Sequence, residues 1–194
     1  MFIQKILTAV SLVLILGTAQ AENLGDALDY QQEIFNNMAK AAGVTDVTFQ
    51  VDYDGHGPGA FYQPGTKTLI LNSGDFYFVD FDSDEIASSI GHELGHYLII
   101  KNSKWTDYNC RKKGGDNKVC ERLSDIVGQV LMHKAGYDMC KAGKYWSRFM
   151  KLTKSKDGGD DHPDHDVRLK YMNCKTGPAM EYIKFKKIKK GRLK

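Results

Sequence analysis

The chain has 194 residues, 27 of them Lys or Arg against 24 Asp or Glu, with four cysteines and a formal net charge of +3. That length allows one domain with its own buried core, and downstream of the N-terminal leader no apolar run is long enough to cross a bilayer. The charge is uneven: Lys184, Lys186, Lys187, Lys189, Lys190, Arg192 and Lys194 leave residues 22–181 with 19 basic against 24 acidic side chains, an acidic body that argues against a nucleic-acid partner.

The first 21 residues read as a signal peptide: Lys5 supplies a positive start, Ile6 to Gly17 is apolar, and Ala19-Gln20-Ala21 has the small-x-small form of a cleavage site. Cleavage near Ala21 predicts a periplasmic or secreted protein, a domain over 22–178 and a basic tail over 179–194. Export also changes the reading of Cys110, Cys120, Cys140 and Cys174. No C-x-x-C pair is present, so two disulfides are expected, and of the three pairings Cys110–Cys120 with Cys140–Cys174 is preferred, since the first closes a polar loop.

Leu24 to Ala42 predicts a helix stopped by Gly43, and Val47 to Tyr53 alternates as a half-buried strand. Pro64-Gly65 marks a turn between Phe61-Tyr62 and Thr68 to Ile70, and KTLILN and FYFVDF read as further strands of a small, mostly antiparallel sheet. Phe76, Tyr77 and Phe78 are expected in the core, and Thr68 to Asn72 is expected as an exposed edge that could pair with an extended peptide. Asp82 followed by Glu85 gives a capping-box-like start to a helix from about Ser83 to Ile100, with Ile86, Ile90, Leu94 and Leu98 as its apolar stripe. Further helices are expected over Val119 to Ala135, ended by Gly136, over Met139 to Thr153, and after Pro163 in a first turn. The fold class is therefore α+β: one mostly helical domain with a small antiparallel sheet packed against the helix of Ser83 to Ile100.

That helix carries SSIGHELGHYLI, Ser88 to Ile99. Residues four apart differ by about 40° around a helix, so His92 and His96 project together and can reach one metal ion, with Glu93 about 100° and 60° from them, close to the metal without ligating it. The apolar stripe lies on another face, which separates these histidines from the packing side. Glu121 could complete a His, His, Glu set and Asp125, one turn on, could accept the spare N–H of a ligand histidine. His162 and Arg168 are available as electrophilic or orienting groups. Gly91 and Gly95 are costly within a helix and suggest that another backbone packs close to it.

H-E-L-G-H, then E-x-x-x-D, then K-A-G-Y-D over Lys134 to Asp138, then His162-Pro163 with Arg168 six residues after the histidine, resembles the order of motifs in the HtpX and CAAX prenyl protease family of gluzincin metallopeptidases, and is most similar to its soluble periplasmic members. The resemblance covers about Gly59 to Met172. It implies one catalytic Zn2+ ion held by His92, His96 and Glu121, Glu93 as the catalytic carboxylate, Asp125 steadying a ligand from behind, His162 helping to hold the oxyanion, and Arg168 supporting the site. The sequence departs from the family in having Gly59 where an asparagine is usual, only 24 residues between His96 and Glu121, and no transmembrane helices.

The expected activity is zinc-dependent endopeptidase cleavage of extended or unfolded protein substrates, with a zinc-bound water and Glu93 as general base. The alternative is a chaperone-like periplasmic binding protein that keeps a zinc site without proteolysis. His133 is read as a packed or surface residue, His165 as a neighbour easily confused with His162, and His56 as a secondary candidate for the rim of the cleft. The basic tail suggests peripheral contact with an anionic membrane or cell wall, or a solvated terminus.

Overall fold

A computed structural model describes residues 28–55, 57–102, 117–153 and 162–192. The expected signal peptide over residues 1–21, His56 and Cys110 lie outside the described residues. The chain divides into two compact units, residues 1–33 and 34–194. Of the first, the described part is the opening of helix α1, residues 28–42, which ends at Gly43 in a left-handed conformation with φ of +69°.

The second unit holds a three-stranded sheet, β1 (Thr48–Asp52), β2 (Ala60–Gln63) and β3 (Thr68–Asn72), and helices α2 (Gly74–Phe78), α3 (Ser83–Lys101), α4 (Asn117–Ala135), α5 (Lys141–Thr153), α6 (His165–Tyr171) and α7 (Pro178–Arg192). The mostly helical α+β class is as expected. The sheet itself is mixed, in the order β1-β3-β2, with β2 antiparallel to β3 and β1 parallel to it. The turn at Pro64-Gly65 forms the expected hairpin, but β3 inserts between the other two strands. Its Thr68, Leu69 and Leu71 are buried, so the most apolar strand takes the centre. The expectation that Thr68 to Asn72 is an edge is thereby corrected. The edges are β1 and β2.

FYFVDF is not a strand. It forms the end of α2 and a tight turn in which Asp80 and Phe81 both have positive φ, 53° and 57°. The run of aromatic and β-branched residues imitated a strand, but Asp75 is fully buried and accepts hydrogen bonds from Tyr145 Oη (2.7 Å) and the Gly59 N–H (3.1 Å), anchoring the segment as a helix. Phe76 is core, Phe78 is half-buried, and Tyr77 is 72% exposed, so only part of that aromatic run packs.

Helix α3 begins as predicted. The Asp82 carboxylate accepts from the N–H groups of Asp84 (3.1 Å) and Glu85 (3.2 Å). Glu85 does not complete the capping box; its buried carboxylate pairs with Lys144 (2.8 Å) and Arg148 (3.2 Å) of α5. Every residue from Glu85 to Gly95 is buried, so the helix is enclosed on nearly all sides and His92 also faces packed protein, while His96 is partly exposed. The expected separation of a packing face from a histidine face is corrected accordingly.

The reason for Gly91 and Gly95 is visible. A Cβ on Gly95 would come within 2.8 Å of Ser124 Cα, and one on Gly91 within 3.2 Å of Gly128 Cα; a Cβ on Gly128 would in turn meet the Gly91 carbonyl carbon at 2.9 Å. Helices α3 and α4 touch backbone to backbone.

Cys140 and Cys174 form the expected disulfide, and Cys120 is also disulfide-bonded. Pro163 precedes α6 rather than opening it, because Asp164 takes the N-cap position. Most of the segment read as a basic tail is helix α7, whose Ala179 and Ile183 pack into the core. Those two small and branched residues, four apart, give the helix a seam that the neighbouring lysines hide in the composition. Among the described residues, no helix is long and apolar enough to cross a membrane.

Candidate metal centre

Two i, i+4 pairs on neighbouring helices build the site. His92 and His96 extend from α3, and Glu121 and Asp125 from α4, across the seam where glycine brings the backbones together. The Nε2 atoms of His92 and His96 are 3.1 Å apart, His92 Nε2 is 3.1 Å from Glu121 Oε2, and His96 Nε2 is 3.2 Å from Glu121 Oε1. Donor atoms about 2.0–2.1 Å from one tetrahedral ion would be about 3.3–3.4 Å apart, close to the spacings here, with Glu121 Oε2 on the His92 side and Oε1 on the His96 side. It is the group of side chains among the described residues that could hold a metal ion.

Two further observations favour a cation there. Glu121 Oε2 is buried and among the described residues has no donor aligned on it, although His92 Nε2 and His162 Nε2 (3.4 Å) are close. The electrostatics also call for positive charge. Burial alone would lower the His92 pKa, but Asp125 and Glu121 outweigh it and push it up to about 10. Burial alone would raise Glu121, yet the two histidines hold it well below the ordinary carboxylate range. An ion that displaced the imidazole proton would satisfy the same demand.

Behind His92 stands a chain of groups that fixes its ring. Asp125, 1% exposed, lies 2.8 Å from His92 Nδ1 and accepts two hydrogen bonds from Arg168, at 2.9 Å from Nε and 2.6 Å from Nη2. Tyr171 Oη donates to the same carboxylate at 3.3 Å. With Nδ1–H committed to Asp125, the neutral His92 tautomer presents the Nε2 lone pair to the cluster. Burial would raise the Asp125 carboxyl, but Arg168 and then His92 bring it below its usual value, so it stays ionised.

Glu93 is buried, with Oε1 3.9 Å from His92 Nε2, outside the ligand triangle. Burial is the main cause of its raised pKa, countered by His92 and His96 and by the N–H of Tyr62 on β2, which donates to it. A carboxylate desolvated in this way is a better proton acceptor than one in water.

His162 reaches the cluster with its side chain 49% exposed, whereas His165 is buried and stacks on Trp146. His133 lies on the surface. The residues expected at the site, His92, Glu93, His96, Glu121, Asp125, His162 and Arg168, come together. Sequence reasoning missed Tyr62, Trp146 and Tyr171. Trp146 was visible only as apolar content of its helix, and its position under Arg168 depends on tertiary packing. Compared with models of known protein families and with curated proteins, the chain matches none.

Proposed function

We propose that the protein is an exported zinc-dependent endopeptidase acting on extended or unfolded polypeptides, related in its motifs to the HtpX and CAAX prenyl protease gluzincins. The observation that carries this reading is the placement of a buried glutamate, Glu93, beside an open triangle of two imidazoles and a carboxylate. A site that served structure alone would have no need of Glu93.

His92, His96 and Glu121 would hold the ion, which when bound supplies a Lewis acid that lowers the pKa of water to about 7 and polarises a carbonyl. Glu93 accepts a proton from the attacking water and delivers it to the departing amine, with the Tyr62 N–H keeping its carboxylate in place. His162, at the solvent side, donates to the oxygen on which charge develops. Among the described residues strand β2 is paired by β3 on one side, and it reaches Glu93 through Tyr62, so it replaces β3 as the strand on which an extended peptide would pair.

A zinc-binding protein without proteolysis is the second reading. It draws on His162, because a fourth protein ligand close to Glu121 is what a closed structural site would have.

The two readings separate in one experiment: metal analysis of purified protein, then chelator-sensitive digestion of an unfolded protein, with Glu93→Gln as control. The expected result is one zinc per chain in both forms and a loss of at least about a hundredfold in cleavage for the variant. Equal cleavage by zinc-loaded Glu93→Gln would refute the assignment, and zinc without cleavage in the wild type would favour the second reading.

A further inference from the structure

We propose that Trp146 is a positioning residue of the metal centre: its ring is the plate against which Arg168 is pressed, so that Arg168 aligns Asp125 and Asp125 aligns His92. The inference rests on the metal-binding reading of His92, His96 and Glu121.

Arg168 Cζ lies 3.3 Å from the centroid of the Trp146 ring, which is direct stacking of guanidinium on indole. Arg168 itself is 1% exposed, and two of its nitrogens are committed to the two oxygens of Asp125. A planar fork of this kind binds both oxygens only while its plane stays coplanar with the carboxylate. Arg168 sits on α6, a helix of seven residues, and Trp146 stands on the longer α5. The indole thus ties the guanidinium plane to a longer element than its own. The Trp146 ring also meets the His92 ring at 5.9 Å and 67°, and lies nearly parallel to His165 at 6.4 Å.

Core filling does not account for tryptophan here. Its Nε1–H is buried with no acceptor among the described residues, a penalty that phenylalanine or leucine would avoid. What indole adds over phenyl is a larger and more negative face for a cation. That property is spent on Arg168.

The test measures zinc affinity of the folded protein by competition with a chromophoric chelator, with circular dichroism to establish folding. Wild type that binds no zinc overturns the metal-binding reading, and this inference with it. With wild type binding, Trp146→Leu is expected to weaken zinc about tenfold or more, the range seen when a partner behind a ligand is lost; an unchanged Kd overturns only the role of Trp146. Should Trp146→Leu not fold, Trp146→Phe decides: a loss of about twofold to fivefold supports the proposal and an unchanged Kd rejects it. A purely structural tryptophan would lower stability without moving Kd. In an Arg168→Met background the Trp146 substitution is expected to add nothing, and a full additional loss there would show that it does not act through Arg168.

Discussion

Helix α3 meets α4 and α5 by opposite means. Toward α4 it presents Gly91 and Gly95, and the two backbones approach until no Cβ fits. Toward α5 it presents charge: Asp82 with Lys141 at 2.5 Å, and Glu85 with Lys144 and Arg148. Contact of backbone on backbone has no adjustable part, whereas a lysine or arginine can change rotamer and keep its partner. The candidate metal ligands straddle the glycine seam, and toward α5 the one in ring contact is His92, against Trp146.

Disturbing the two seams should therefore have unequal consequences. The largest effect is expected from Gly95→Ala, whose Cβ would meet Ser124 O at 2.7 Å. The helices must separate, lowering stability by about 1–3 kcal/mol in chemical denaturation and weakening zinc binding in the same variant, because Glu121 and Asp125 flank Ser124. If zinc affinity survives while stability falls, the seam does not set the ligand triangle.

A smaller effect is expected from Glu85→Gln. It removes the charge that Lys144 and Arg148 face, but both cations are partly exposed and can be hydrated instead, at side-chain exposures of 47% and 31%. A loss of about 1 kcal/mol with zinc affinity unchanged is the expected outcome of paired denaturation and zinc titrations. A matching fall in zinc affinity would erase the distinction between the seams.

The smallest effect is a dependence on pH. Burial raises the Asp75 carboxyl from 3.8 to about 6, with the hydrogen bonds from Tyr145, Gly59 and Ser89 opposing it. The folded chain then holds a proton that the unfolded chain releases, so stability falls as pH rises from about 3.8 to about 6 and levels above that. Asp75→Asn should flatten this part of the urea midpoint against pH. An unaltered curve would mean that another group titrates in this window.

Much of the centre was legible in the sequence because both halves are i, i+4 pairs, and a helix turns that spacing into one face whatever it packs against. The glycines were legible for a related reason: a cost within a helix asks for a compensating contact, and Gly128 and Ser124 supply it. Strand order was not legible, since it depends on which strand is most buried among partners far along the chain, and β3 took the centre for that reason. Asp75 was hidden because the aromatic run after it read as a strand, while its hydrogen bonds come from Gly59 and Tyr145, 16 and 70 residues away. Trp146 was hidden because a stacked cation leaves no local pattern. Its partner Arg168 is 22 positions downstream.

The glycine seam has one more consequence, for recognising such proteins. Histidines and a glutamate at the right spacing are not sufficient, because alanine at 95 or 128 would press on the backbone of the facing helix and move Glu121 away from the two histidines. The recognisable pattern is a pair of interlocking words, G-H-E-x-G-H on one helix and E-x-x-S-D-x-x-G on the other. In each word the letters without side chains are as informative as the letters that bind.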